Sequence, residues 1–189
     1  MRKTKSFLSL VVACCLICGA VQAADKAKGK PTAISFLKGK VKMTAPKGWK
    51  KKRPRVRIID FEFAIPKTKG DAIDGRLTLM RAGGSVNANI NRWIGQFRQA
   101  DGSSSRKKAK ITKFKVSGQQ IHMVDLSGTY KDQRGPFAPA KFRKDYRMLS
   151  AIIVTKEYGQ YFVKLYGPKK TIKANEKKFR SLVGSLKVK

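Results

Sequence analysis

The stretch YRMLSAIIVTKEYGQYFVKLYG, residues 146–167, decides the fold. Two runs rich in aliphatic and aromatic residues flank KEYG, a short polar segment closed by a glycine. Such runs favour strands, and so short a connector folds the second strand back antiparallel to the first. Just upstream, ITKFKVSG and QQIHMVDLSGTY repeat the arrangement around Ser117-Gly118. Parallel neighbours need a crossover of a dozen or more residues, and neither pair has room for one. The sheet is therefore expected to be mainly antiparallel. KDQRGPFAPAKFRK, between the two pairs, reads as a long loop with two prolines, and Asp125 as lying at a strand end followed by a turn.

Further out, KVKMTAP alternates polar and apolar residues with a period of two. A turn, Pro46-Lys47-Gly48, leads into Trp49, which is expected to plug the core. RVRIIDFEFAIP reads as one strand, begun by Val56 and Ile58 and stopped by Pro66, and RLTLMR as the next. Ser85 suits a helix N-cap. After it Val86, Ile90, Trp93, Ile94 and Phe97 share one stripe of a helix. A closing helix starts near Thr171 with Ile172, Phe179, Leu182, Val183 and Leu186 on its apolar side. The expected class is α+β: a mainly antiparallel sheet of about six to seven strands flanked by two amphipathic helices, an α/β/α sandwich in the order βββ-α-ββ-ββ-α.

The first residues carry a different signal. Arg2, Lys3 and Lys5 precede an apolar run from Phe7 to Cys18, and Val21-Gln22-Ala23 offers small residues at a cleavage site. This is the pattern of a secretory signal peptide, and the run is shorter than the roughly 20 residues that span a bilayer. The expected organisation is a signal peptide over 1–23, a flexible leader over 24–34 and a single globular domain over 35–189, with a periplasmic or extracellular destination. No transmembrane segment is expected after cleavage. A lipid anchor on Cys14 is the lesser reading, because cleavage there would leave an apolar CLICGAVQA where a polar tether belongs. Cys14, Cys15 and Cys18 all lie in the signal, so the exported chain is expected to lack disulfides, thiolate metal sites and cysteine nucleophiles.

Charge is the strongest compositional feature. The 189 residues hold 44 Lys and Arg against 11 Asp and Glu, a formal net charge of +33. Such a balance favours anionic partners. The densest run, PKGWKKKRPRVR at 46–57, would suggest nuclear import or nucleic acid, but export removes the nuclear reading. Candidate polyanion contacts are Lys50, Lys51, Lys52, Arg53 and Arg55, with Lys107, Lys108 and Lys110 in a second cluster; Lys141, Arg143 and Lys144, and the final helix with Lys169, Lys170, Lys173, Lys177, Lys178 and Arg180, are further basic runs. Interleaved aromatics are sparse, which disfavours single-strand nucleic acid recognition. An acidic protein or an anionic envelope polymer is the expected partner class, ahead of nucleic acid; a merely soluble, lysine-rich surface is the competing reading.

Candidate catalysts are few. His122 is the single histidine, so with no cysteine in the exported chain a usual zinc site is not expected. VDLSGTY resembles an aspartic-protease motif only loosely: Leu126 separates Asp125 from Ser127, and a shared-proton dyad needs a second carboxylate. Asp60 and Glu62 sit close together but among arginines and lysines, as salt-bridge partners would. Gly83, Gly84 and Ser85 could seat an anion at a helix start, yet their spacing matches neither a Walker loop nor a dinucleotide fingerprint. No catalytic residue, metal or cofactor is therefore assigned.

The Pro46–Trp49 turn, the strand ending at Pro66, the helix NINRWIGQF, VDLSGTY, the 146–167 hairpin and the final SLVGSL together resemble a group of exported bacterial proteins. The order of their elements is similar to the PsbP/Mog-type fold, an antiparallel sheet between helices. Known members of that fold are accessory or partner-binding proteins, at photosystem II and on the Ran GTPase. The resemblance implies a non-catalytic role without transferring either partner. The expected function is an exported, non-enzymatic accessory or binding protein. The alternatives are an envelope hydrolase using Asp125 or Asp60 with Glu62, and a purely structural or assembly protein.

Overall fold

The structure, a computed structural model, describes residues 30–133 and 138–189. The expected signal peptide lies outside the described residues. In chain order the elements are β1 (Thr32–Phe36), a short 3-10 turn (Leu37–Gly39), β2 (Val41–Ala45), β3 (Lys50–Lys52), β4 (Phe61–Ile65) and β5 (Gly75–Ala82). Then come α1 (Val86–Ile94), β6 (Phe97–Arg98), α2 (Ser105–Lys108), β7 (Lys110–Val116), β8 (Gln119–Asp132), β9 (Lys141–Val154) and β10 (Gln160–Pro168). The chain closes with α3 (Lys169–Ala174), α4 (Glu176–Gly184) and β11 (Lys187–Val188).

The large sheet has eight strands, ordered β3-β4-β5-β10-β9-β8-β6, with β7 also paired to β8. All its pairings are antiparallel. The hairpin of β9 and β10 sits at its centre, with Tyr161 opposite Ile153 and Leu165 opposite Leu149. In β9, Met148 to Ile153 are all buried, so this strand is covered on both faces. On one face Ile90, Trp93 and Ile94 of α1 pack on Val124, Met148, Ile152 and Phe162. On the other, Ile172 of α3 and Phe179, Leu182 and Val183 of α4 share a core with Leu77, Leu149, Ala151 and Val163. The same core takes Ile34, Phe36, Val41 and Met43 from a separate three-stranded sheet, β1-β2-β11.

Several expectations change here. β1 begins at Thr32, inside the stretch read as leader, because Ile34 and Phe36 have a core to enter and β2 to pair with. RVRIIDFEFAIP is not one strand: residues 53–60 form a loop, and β4 starts only at Phe61. Pro54 has no N–H for a ladder, and Val56 and Ile58 have no facing core; they are 46% and 66% exposed. The closing helix is two helices broken at Asn175. No turn follows Asp125: β8 passes through a β-bulge at Gly128, and β8 and β9 continue into what reads as loop. Among the described residues eleven strands, of which β8 and β9 are 14 residues long, and four helices replace the simpler order.

Beyond this shared core, two close contacts fix how the α3–α4 layer sits on the sheet. Trp49 is buried, as its expected role as a plug requires, and its indole Nε1 donates to Asn175 Oδ1 at 2.9 Å, while Asn175 Nδ2 donates to the Thr171 carbonyl at 2.9 Å. The β2–β3 turn is thus tied to the break between the helices. Gly75 and Gly167 form the second contact. A Cβ on Gly167 would lie 2.7 Å from Gly75 Cα, and one on Gly75 would lie 3.1 Å from Ile172 Cδ1. Backbone blocks the first of these sites, so a side chain there must push the strands apart. Gly167→Ala is expected to destabilise the protein by about 2 kcal/mol, read by denaturant unfolding. Trp49→Phe, which leaves Asn175 Oδ1 without its donor, should cost about 1–2 kcal/mol in the same assay.

Candidate anion-binding cleft

The two basic clusters singled out from the sequence lie on opposite edges of the large sheet. Lys50, Lys51 and Lys52 make up β3, one edge, and Arg53 and Arg55 are exposed in the loop after it. Lys107 and Lys108 are in α2 and Lys110 opens β7, the other edge. Six strand spacings separate β3 from β7, about 29 Å at the usual inter-strand distance. That is several times the Debye length of about 8 Å at physiological salt, so the clusters act separately. β3 itself is split: Lys51 lies 5.6 Å from the centre of the Phe61 ring, whereas Lys52 stands opposite Glu62 in the strand register, with the Glu62 carboxylate held by Arg76. Lysines on an edge strand also block pairing with another sheet.

At the β7 edge, cations converge. A cleft of about 470 Å³ is lined by Lys108, Lys110, Arg147, Lys169 and Lys173, with Asp125 the one carboxylate; Gln99, Leu126 and Ser127 complete it. Each element delivers its part by register. Lys110 faces Asp125 across β7 and β8, β9 brings Arg147 diagonally against Asp125, and α3 carries Lys169 and Lys173. Arg147 grips Asp125 with two hydrogen bonds of 2.9 and 2.7 Å and reaches Glu176 of α4 at 2.7 Å. Glu176 also accepts from Arg180. Hydrogen bonds from Arg147 and then Arg180 hold the Glu176 carboxyl below its usual range. Lys108 pairs with Asp101 at 3.3 Å. Hydrogen bonds from Ser103, with a smaller contribution from Lys108, draw Asp101 down to about 2. Among the described residues, Lys110, Lys169 and Lys173 have no carboxylate partner.

The candidate catalysts do not assemble. Residues 121, 123 and 125 of β8 face the α3–α4 core while 122, 124 and 126 face α1, so His122 and Asp125 point to opposite sides. His122 is half-buried in mid-strand, with its pKa lowered by burial and then by Lys113. Glu62 is bound by Arg76 at 3.0 and 2.8 Å, and Asp60 accepts from the Arg81 amide at 2.9 Å, three or more strands from Asp125. At the start of α1, Ser85 accepts from Ala88 N, and Asn89 Nδ2 donates to the carbonyls of Gly83 and Ser85. Those glycines therefore serve a tight strand-to-helix turn. Among the described residues no three His, Cys, Asp or Glu side chains group as metal ligands.

One cluster escaped the sequence reading. On the α1 side, Lys164 Nζ lies 5.4 Å from the ring centre of Tyr130 and 5.1 Å from that of Tyr166, and donates to Gln96 Oε1. Arg76 donates to the Tyr166 hydroxyl at 2.7 Å. Burial, and after it the charges of Arg92 and Arg76, push the Lys164 ammonium down to about 7. The alternation of β10 placed Lys164 among apolar neighbours, but nothing local marked it as the buried member of a tyrosine cluster.

No protein-family model matches the chain, and no curated protein matches it. Among solved structures, a solution structure of cyanobacterial PsbP (CyanoP) from Synechocystis is similar with a TM-score of 0.51 at 10% identity, covering 88% of this chain and 97% of that one. A protein of unknown function from Pseudomonas aeruginosa gives a TM-score of 0.45 at 11% identity, over 85% and 99% of the two chains. The fold is PsbP-like: α+β, built on a large antiparallel sheet with a few helices. No helix among the described residues is long and apolar enough to cross a membrane.

Lys164 gives a pH test of this geometry. Below about 7 both folded and unfolded chains carry its proton, and the folded state bears the full cost of the partly buried charge. Between about 7 and the ordinary lysine value of 10.5, the unfolded chain binds more proton, so stability from this group rises with pH. Lys164→Met is therefore expected to be more stable than the parent at pH 6, by about 1–3 kcal/mol. The advantage should fade by about pH 10, as measured by denaturant titration at both values.

Proposed function

We propose that this chain is an exported, non-enzymatic binding protein that engages an anionic partner, an acidic protein or an envelope polymer, through the cleft of Lys108, Lys110, Lys169 and Lys173. The observation that carries the reading is the convergence of five cations on one concavity that holds a single carboxylate. Asp125 and Glu176 are taken up by Arg147 and Arg180, and Asp101 by Lys108, so Lys110, Lys169 and Lys173 retain their full demand for an anion. A carboxylate or phosphate group entering the cleft would meet donors from β7 on one side and α3 on the other. The separation of Asp125, His122 and the Asp60–Glu62 pair favours binding over hydrolysis. The second basic region, Lys50, Lys51, Lys52, Arg53 and Arg55, is screened from the cleft and would meet a separate part of an extended anionic partner.

Retention on heparin across a sodium chloride series tests the reading. The parent chain should be retained at low salt and released as salt screens the lysines. Lys110→Gln with Lys173→Gln should weaken heparin binding roughly tenfold at low salt without lowering the thermal midpoint, since neither lysine has an ion pair to lose and glutamine brings no repulsion against Asp125. Unchanged retention of the double variant would sink the cleft as the contact.

A further inference from the structure

The loop between β3 and β4 carries a second, independent feature. Residues 50–60 contain six exposed cations, Lys50, Lys51, Lys52, Arg53, Arg55 and Arg57, and one acidic residue, Asp60. Among the described residues none of the six forms an ion pair. In their midst Val56 and Ile58 are 46% and 66% exposed. Single exposed aliphatic residues are ordinary; two at one loop tip, ringed by unpaired cations, are not what a soluble surface needs. The tip is also held in shape. Ile59 N donates to the Val56 carbonyl at 3.1 Å, which closes a turn with Arg57 and Ile58 at its corners. Its base is pinned to β5, where Asp60 N donates to the Leu79 carbonyl at 3.0 Å and Asp60 Oδ2 accepts from Arg81 N at 2.9 Å.

We infer that this loop docks on an anionic lipid bilayer, with Ile58 and Val56 inserting at the level of the headgroups and acyl ends while the flanking lysines and arginines meet lipid phosphates. Charge complementarity selects an anionic surface, and the apolar tip separates a bilayer from a soluble polyanion. A nucleic acid or acidic polysaccharide satisfies the cations but offers nothing to Ile58, whereas a bilayer satisfies both. Arg and Lys side chains can extend their charged ends to the headgroups as the tip enters. The site lies on the opposite sheet edge from the cleft and does not depend on the cleft's function.

The test uses vesicles of phosphatidylcholine alone and vesicles with about 30 mol% phosphatidylglycerol, an anionic content that gives a strong surface potential. Because Trp49 and Trp93 are buried, Ile58→Trp supplies a reporter at the tip itself. Its emission should shift to the blue with the anionic vesicles and be quenched by brominated acyl chains. Val56→Ser with Ile58→Ser should weaken sedimentation with anionic vesicles about tenfold and leave heparin retention unchanged. Lys110→Gln with Lys173→Gln should leave the tryptophan shift in place, which separates this site from the cleft. The inference is overturned if the reporter shows no shift or no quenching. It is equally overturned if the serine variant binds vesicles as the parent does, which would make the loop a polyanion surface only.

Discussion

A strand buried on both faces needs two covers, and the rest of this structure follows from that constraint. The six residues from Met148 to Ile153 in β9 are all buried, so the sheet cannot leave either side to water. Its neighbours β8 and β10 meet the same demand by alternation, with Val124 and Phe162 toward α1 and Met123 and Val163 toward the α3–α4 layer. One nine-residue helix covers the first face. The second face is wider and needs α3, α4 and the three-stranded sheet β1-β2-β11 together. Trp49 and Asn175 then join the two parts of that second cover, and the Gly75–Gly167 contact lets α3 descend close enough to reach the sheet.

What could be read from the sequence was local and periodic. The β9–β10 hairpin announces itself through a short polar connector between two strongly apolar runs, and the α1 stripe through Ile90, Trp93 and Ile94 at helical spacing. What could not be read depends on partners distant in the chain. Val56 and Ile58 fit a strand pattern as well as Phe61 and Phe63 do, and only the absence of a facing core distinguishes them. β1 becomes a strand because β2 lies beside it. The cleft is of the same kind: Lys110 and Lys173 are 63 positions apart and meet only because the β8–β9 register and the start of α3 bring their elements together. Sequence clustering pointed to Lys107, Lys108 and Lys110 and, separately, to the basic final helix with Lys169 and Lys173, but had no means of bringing the two together or of adding Arg147.

The few acidic side chains are placed where the fold needs them. Glu62 holds Arg76, Asp125 and Glu176 hold Arg147, and Asp71 accepts from Thr171 at the start of α3. Glu62 and Asp125 tie neighbouring strands together, Glu176 ties α4 to β9, and Asp71 joins positions 100 apart in the chain. With so few carboxylates, spending them on partly buried arginines leaves most surface lysines uncompensated. That asymmetry has a physical rationale. An arginine drawn in among packed strands would be costly without a partner, whereas an exposed lysine is paired with water and salt at little cost.

The likeness to a cyanobacterial PsbP at 10% identity concerns the scaffold, and a scaffold does not prescribe a partner. The features that distinguish this chain are laid over it at the sheet's two edges, where side chains are free of the packing that fixes the centre. Edge strands β3 and β7 both carry lysines, which keeps each edge from pairing with a second sheet. Protection of the edges would be served by charge anywhere along them. It does not account for cations gathered into one concavity around an arginine whose own charge is already matched. Nor does it account for two aliphatic side chains turned outward among six cations. Like charges held close together repel, and apolar surface held in water is unfavourable; a chain that retains both at built positions has an environment to match them to.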